Sequence, residues 1–122
     1  MKESSVQAKS YKFALRIVKL YLHLTKEKKE FELSKQILRS GTSIGANIEE
    51  AQGGQTDKDF LYKISIAYKE TRETHYWLRL LKDSGIINEK LFDSFIKDCN
   101  ELLKIIGKIQ ITLKKKNETR NS

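Results

Sequence analysis

The last third of the chain repeats apolar residues at alternating steps of three and four, and the whole 122-residue sequence contains no proline. Such steps bring side chains to one face of an α-helix, whereas a half-buried strand alternates at every second residue. The repeat consists of Phe92, Phe95, Cys99, Leu102, Ile106, Ile109 and Leu113. A seam of this kind is typical of a helix packed against others at a shallow angle, so we predict an all-α fold.

Three further segments show helical spacing. The first, about residues 4–28, has a face too wide for a single neighbouring helix. The members of this face are Tyr11, Phe13, Ala14, Ile17, Val18, Leu20, Tyr21 and Leu24. The third segment, about residues 56–85, has a narrower seam. Its members are Phe60, Ile64, Ala67, Thr71, Thr74, Leu78 and Leu81.

The second segment, about residues 32–52, contains Gly41 and Gly45 in its interior. Each glycine costs a helix about 1 kcal/mol relative to alanine, so two interpretations compete. Either residues 40–43 form a turn, or the helix is continuous and the missing side chains let a partner helix approach closely. We favour the continuous helix because the apolar register passes through both glycines unbroken. That register is Leu33, Ile37, Ile44, Ile48 and Ala51.

Four residues mark the predicted helix ends. Thr56 and Asn88 carry side-chain oxygens suited to capping the third and fourth helices. Gly85 suits a left-handed helix terminus, and Gly53 follows the second helix. Because the connections are short, successive helices are predicted to be antiparallel, in an up-down-up-down four-helix bundle that forms one domain over residues 1–122. The basic tail from about residue 114 lacks apolar residues and is expected to fray.

The net charge of +8 is concentrated at the two ends of the sequence. Residues 1–29 carry +6 and residues 104–122 carry +5, while the middle of the chain carries −3. In an up-down-up-down bundle the first helix lies beside the fourth, so the two basic ends form one positive surface suited to a polyanion. The predicted nucleic-acid contacts are Lys9, Lys12, Arg16, Lys19, Lys104, Lys108 and Lys115. A merely solvated helix surface is the other interpretation of these charges.

A polar stripe runs along the second helix beside its apolar face. Arg39, Ser43, Asn47 and Glu50 follow one another at steps of four, four and three. We interpret the stripe as a layer that fixes helix register or contacts another subunit, with a ligand site as the alternative. Glu70 is predicted to pair with Arg39, and Trp77 to anchor helices or subunits.

Several classes of protein are excluded by composition. One cysteine and two histidines are too few for a disulfide scaffold or a zinc site, and no metal or cofactor is predicted. Apolar runs never exceed three residues, which argues against a membrane span or secretory signal, so we expect a cytoplasmic protein. No nucleophile, base and orienting group combine into a catalytic constellation, and we expect no enzymatic activity.

Two segments together resemble a known family. Residues 39–51 read RSGTSIGANIEEA, and the downstream motifs are DF at 59–60, KISIAYKETRET at 63–74 and YWLRLL at 76–81. They resemble the bacterial four-helix-bundle proteins related to 23S ribosomal RNA intervening-sequence proteins, over roughly residues 8–113. The resemblance implies an antiparallel bundle that assembles as a ring-like homopentamer without known enzymatic activity. A more distant likeness is to the accessory variability protein of diversity-generating retroelements, a basic pentameric bundle that binds nucleic acid and a reverse transcriptase.

The leading hypothesis is therefore a non-enzymatic, oligomeric helical bundle that binds RNA or DNA through phosphates. Oligomerisation is also expected because the wide apolar face of the first helix and the polar stripe of the second need more cover than four helices offer. The alternative is a protein-interaction scaffold, or an accessory subunit, that docks an acidic or nucleic-acid-processing partner.

Overall fold

The chain forms four α-helices joined by short connections. The computed structural model describes the backbone of residues 5–121 and the side chains of residues 5–119. The helices are α1 (Ser5–Lys26), α2 (Glu32–Gln52), α3 (Asp57–Asp83) and α4 (Glu89–Asn121). Over this backbone no strand occurs, so the prediction of an all-α fold is confirmed.

The helices pack around one core in a bundle-like arrangement. Each helix contacts the next along the chain, and α1 also contacts α4. The most extensive contact joins α2 to α3, and the smallest joins α1 to α4. The first and last helices therefore lie beside each other, as predicted.

The core uses the predicted seams of α3 and α4. Its fully or nearly fully buried members on these helices are Ile64, Ala67, Thr71, Thr74, Leu78, Leu81, Phe95, Cys99, Leu102 and Ile106. Where polar groups enter the core they are bonded: the Thr74 and Ser40 hydroxyls lie 2.9 Å apart and join α3 to α2. Among the described side chains, no buried nitrogen or oxygen lacks a hydrogen-bond partner. This agrees with the rule that buried polar groups are paired.

The glycines of α2 allow α1 to approach closely, and the helix is continuous through both of them. A Cβ placed on Gly41 would lie 2.8 Å from Cγ1 of Ile17. A Cβ on Gly45 would lie 3.4 Å from the backbone oxygen of Ser10. The turn interpretation of residues 40–43 is therefore wrong, and the close-approach interpretation is confirmed.

The predicted caps are also confirmed. Thr56 Oγ1 accepts a hydrogen bond from the Asp59 N–H at 3.1 Å, and Asn88 Oδ1 accepts one from the Leu91 N–H at 2.8 Å. Gly85 follows α3 with a φ of +79°, in the left-handed region that glycine adopts most easily. These contacts satisfy backbone groups that a helix terminus leaves without partners.

The start of α2 is capped by a carboxylate that sequence analysis did not identify. Glu30 accepts hydrogen bonds from the N–H groups of Glu32, Leu33 and Ser34 at 3.0, 3.0 and 2.7 Å. Burial opposes the charged form, yet these bonds hold the pKa of Glu30 below its usual value. An acidic residue just before a helical segment is the signal that would have revealed this cap.

Helix α4 continues past the last residue of its seam. The sequence predicts fraying from about residue 114, whereas in the structure the helical backbone extends to Asn121. Lys116 Nζ lies 3.7 Å from an oxygen of Asp57, which ties this segment to the start of α3. Fraying is a property of motion and stays a prediction.

One side of α1 faces solvent with large apolar side chains. Its inner face, which carries Phe13, Ile17, Leu20 and Leu24, is buried in the core. The outer row consists of Tyr11, Leu15, Val18 and Leu22, which are 60%, 50%, 39% and 42% exposed. We call this row the α1 ridge. Its steps of four, three and four place it on one helical face.

Candidate functional site

The contact between α1 and α4 is organised around Arg16. One guanidinium nitrogen donates to Asp98 Oδ2 at 2.7 Å and to the Ser94 carbonyl at 3.3 Å. The other donates to the Ser94 hydroxyl at 2.7 Å. The guanidinium carbon also lies 4.1 Å from the centre of the Phe95 ring, in a cation–π contact. Arg16 is thus held in one orientation by three residues of α4.

Lys9 makes a second ion pair across the same contact. Its Nζ lies 3.0 Å from Glu101 Oε1, and both side chains are about half exposed. The sequence predicts Lys9 and Arg16 as phosphate contacts, but in the structure carboxylates of α4 already neutralise both. The reason is that Ser94, Asp98 and Glu101, at steps of four and three, lie on the side of α4 that meets α1.

The other five predicted contacts are exposed lysines. They are Lys12 and Lys19 on α1, and Lys104, Lys108 and Lys115 on α4. Within residues 5–119 no carboxylate oxygen lies within 4.0 Å of these five ammonium groups. We call these five residues the lysine set. The α1–α4 pairs cancel their own charges, and the lysine set is part of the positive charge that remains on the two helices.

The predicted polar stripe of α2 has two kinds of member: its first and last residues, the outer members, pair with α3, and the two between them, the inner members, do not. Arg39 bonds to Glu70 at 3.2 Å and also to Glu73, while Glu50 pairs with Lys63 at 3.4 Å. The predicted pair of Arg39 with Glu70 is therefore present. These ion pairs join the stripe to α3.

The inner members of the stripe bond within their own helix. Ser43 Oγ donates to the Arg39 carbonyl at 2.6 Å, and Asn47 Nδ2 donates to the Ser43 carbonyl at 2.8 Å. The four residues are therefore not one hydrogen-bonded layer between helices. A subunit contact for the stripe stays a prediction.

Trp77 extends the Arg39 cluster on α3. Its Nε1 donates to Glu73 at 2.9 Å, and its ring meets Tyr76 edge to face at 4.9 Å between centres. The Trp77 hydrogen bond and the Arg39 guanidinium hold the pKa of Glu73 below its usual value. Trp77 is half-buried and packs against the core, in keeping with an anchor between helices.

The single cysteine behaves as a buried apolar residue, as predicted. Cys99 has no exposed surface, and its Sγ lies 3.5 Å from the Thr71 carbonyl. Burial and the nearby Asp98 charge raise the pKa of the Cys99 thiol to about 12. The thiol is therefore protonated at neutral pH and is a poor nucleophile.

The described residues offer neither a metal site nor a membrane span. No group of three or more histidine, cysteine, aspartate or glutamate side chains there has the geometry to hold a metal ion. None of the described helices has both the length and the apolar character needed to cross a bilayer.

The fold and these surfaces define a small, basic α-helical bundle protein with lysines on two adjacent helices. The sequence model of the 23S rRNA-intervening sequence protein family matches residues 2–108. The chain belongs to this family, which confirms the resemblance seen in its motifs.

The fold is also found in a solved structure. It is the crystal structure, at 1.70 Å resolution, of a protein of unknown function from the S23 ribosomal protein family of Bacteroides thetaiotaomicron. The two chains are 50% identical, with a TM-score of 0.85 over 86% of this chain and 97% of the other. A comparison with curated proteins gives no match.

Proposed function

We propose that this protein is a non-enzymatic, oligomeric helical bundle of the cytoplasm that binds RNA or DNA phosphates through the lysine set. The observation that supports this most strongly is the exposure of these five lysines, none of which forms an ion pair with a described carboxylate. Lysines contact phosphates as point charges and carry little sequence information. Binding is therefore expected to be weakly sequence-specific and strongly salt-dependent.

The proposed arrangement of the helices is up-down-up-down. Glu50, near the end of α2, pairs with Lys63 near the start of α3, while Arg39 pairs with Glu70 further along α3. Likewise Arg16 pairs with Asp98, and the earlier Lys9 pairs with the later Glu101. Partner numbers that run in opposite orders support antiparallel neighbours.

Binding is tested by filter binding or fluorescence anisotropy at low salt. The family description names 23S rRNA, so a structured fragment of that RNA is the first probe. We expect the logarithm of the binding constant to fall linearly with the logarithm of salt concentration, as phosphate contacts release counterions. A protein without measurable affinity at low salt would contradict the proposal.

A matched pair of charge-reversal variants separates the lysine set from overall charge. The test variant replaces Lys12, Lys104 and Lys108 with glutamate. The control replaces the exposed Lys35, Lys58 and Lys69 of α2 and α3, which gives the same net charge. We expect the test variant to lose at least about tenfold in affinity and the control much less, since nearby phosphate contacts dominate. Equal losses would show that only net charge matters.

The proposed oligomer uses the α1 ridge. Contiguous exposed apolar side chains on a small protein mark an interaction surface, and covering them with a second copy removes them from water. The resemblance to pentameric bundles supports a homopentamer. Light scattering should give a molar mass that is a multiple of the 14.2 kDa of one chain. We expect the double variant Leu15→Glu with Val18→Glu to have the mass of a monomer.

The control for this experiment is Tyr62→Glu. Tyr62 is 64% exposed on α3, outside the α1 ridge, so its replacement should leave the assembly unchanged. A wild-type monomer at micromolar concentration would contradict the oligomer.

The second candidate function is a protein-interaction scaffold, and the α1 ridge favours it as well. The ridge lies on the same helix as Lys12 and Lys19, a combination suited to an acidic, partly apolar partner. A purified complex that survives nuclease treatment and dissociates on Leu15→Glu would support this function over nucleic-acid binding.

A further inference from the structure

A groove between α1 and α4 combines a cationic rim with an apolar floor. It has a volume of about 410 Å³, within the range of small-molecule sites. Its lining residues are Arg16, Lys19, Leu20, His23, Leu91 and Phe95. The lining includes no carboxylate, and Lys19 supplies it with a positive charge that has no ion-pair partner among the described side chains, which suits a phosphate.

Arg16 differs from the other lining residues because its contacts with α4 fix its orientation. Its two terminal nitrogens donate to Asp98 and Ser94, and the Phe95 ring lies against one face of the guanidinium. Nevertheless 34% of the side chain is exposed. Since Arg16 lines the groove and Phe95 lies against one face of its guanidinium, the opposite face is the one left for a ligand.

A flat, fixed cation above an apolar floor suits one ligand chemistry well. Unpaired nucleobases stack on arginine guanidinium planes, and a stack of aromatic ring, guanidinium and base adds cation–π attraction on both sides. A base within a duplex already has both faces covered by its neighbours. Only an unpaired base offers a free face to Arg16.

We propose that this groove binds an unpaired base of single-stranded RNA or DNA. The base stacks on the open face of Arg16, Leu20 and Leu91 contact its edges, and the adjoining phosphate lies against Lys19. The inference rests on the proposed nucleic-acid binding and adds a ligand class to it. Arg16 then acts through its plane, since its charge is already balanced by Asp98.

The test compares two fluorescein-labelled ten-nucleotide single strands by fluorescence anisotropy with the full chain at 50 mM salt. One strand has mixed bases, and the other has abasic sites at its central positions with the same phosphates. Stacking contributes enough per base that the complete strand is expected to bind at least about tenfold more tightly. Equal binding of both strands overturns the groove proposal and leaves phosphate binding intact. Failure of both strands to bind instead overturns the proposed function itself.

Arg16→Lys keeps the charge and removes the plane. We expect it to abolish most of the difference between the two strands, while Lys9→Gln, which breaks the other α1–α4 pair, preserves that difference. Circular dichroism melting verifies that both variants fold. The wild-type comparison of strands tests the proposal even if Arg16→Lys does not fold. A second readout is 2-aminopurine at a central position, whose fluorescence should change when the wild type separates it from its neighbouring bases and stay unchanged with Arg16→Lys.

Discussion

Helix α1 meets its two neighbours in opposite ways. Toward α2, Ile17 packs over Gly41 with no intervening side chain. Toward α4, the contact is the smallest in the bundle and is bridged by the long side chains of Arg16 and Lys9. Shape complementarity therefore holds one flank of α1, whereas charge pairing holds the other and leaves a cationic groove beside it.

The largest effect is expected on the α2 flank. Gly41→Val places a branched side chain where even a Cβ is 2.8 Å from Ile17, so we expect a loss of about 3 kcal/mol in the free energy of unfolding through overpacking. Urea denaturation measures this loss. Gly53→Ala is the control, because a Cβ there meets only the Glu50 carbonyl at 3.6 Å, and it should change stability by less than about 0.5 kcal/mol. A Gly41→Val protein as stable as wild type would contradict the shape argument.

A smaller effect is expected on the α4 flank. Arg16→Ala removes two partners and the Phe95 contact, but the side chains are partly exposed, so we expect a loss of about 1 kcal/mol. The same urea titration measures it. No loss would show that charge pairing does not hold this flank.

The Lys9–Glu101 pair should contribute less still. Both side chains are about half exposed, so solvent screens the pair, and a double-mutant cycle with alanine should give a coupling of about 0.5 kcal/mol or less. The coupling should vanish in 1 M salt. A Lys9–Glu101 coupling larger than the loss of stability caused by Arg16→Ala would contradict this order.

The smallest effect concerns the Cys99 thiol, which reports on opening of α4. Since burial raises its pKa to about 12, the folded protein favours the protonated thiol. The contribution of this thiol to the free energy of unfolding is complete below the ordinary thiol pKa. It is lost as the pH rises toward the pKa that Cys99 has in the folded protein. We therefore expect negligible reaction with a thiol reagent at pH 8, rapid reaction in guanidinium, and a measurable increase in the native rate for Arg16→Ala. Equal rates of thiol reaction for the native Arg16→Ala and wild-type proteins would show that the Arg16 contacts do not limit the exposure of Cys99.

Much of the fold was predictable because its causes are local. Thr56, Asn88 and Gly85 mark helix ends through their own side chains or backbone freedom. The register through Gly41 and Gly45 distinguished a continuous helix from a turn because a turn would have broken the spacing of buried residues.

The candidate site was only partly predictable because its charges depend on pairing between helices. Counting charges by segment located the basic ends but did not reveal that Asp98 and Glu101 face Arg16 and Lys9. Those carboxylates follow their own spacing along α4, next to the lysines, and a comparison of the facing sides of both helices would have found them. The contact of Arg16 with the Phe95 ring depends on how α1 and α4 pack, so no pattern in the sequence predicts it.

The contact of Ile17 with Gly41 also constrains how this sequence can diverge. Position 41 has no room for additional atoms, whereas position 17 can lose a methyl group and leave only a small void. The contact thus tolerates a smaller side chain at position 17 of α1 but no larger one at position 41 of α2. Relatives that keep this geometry should vary among smaller aliphatic residues at position 17 long before position 41 accepts any side chain.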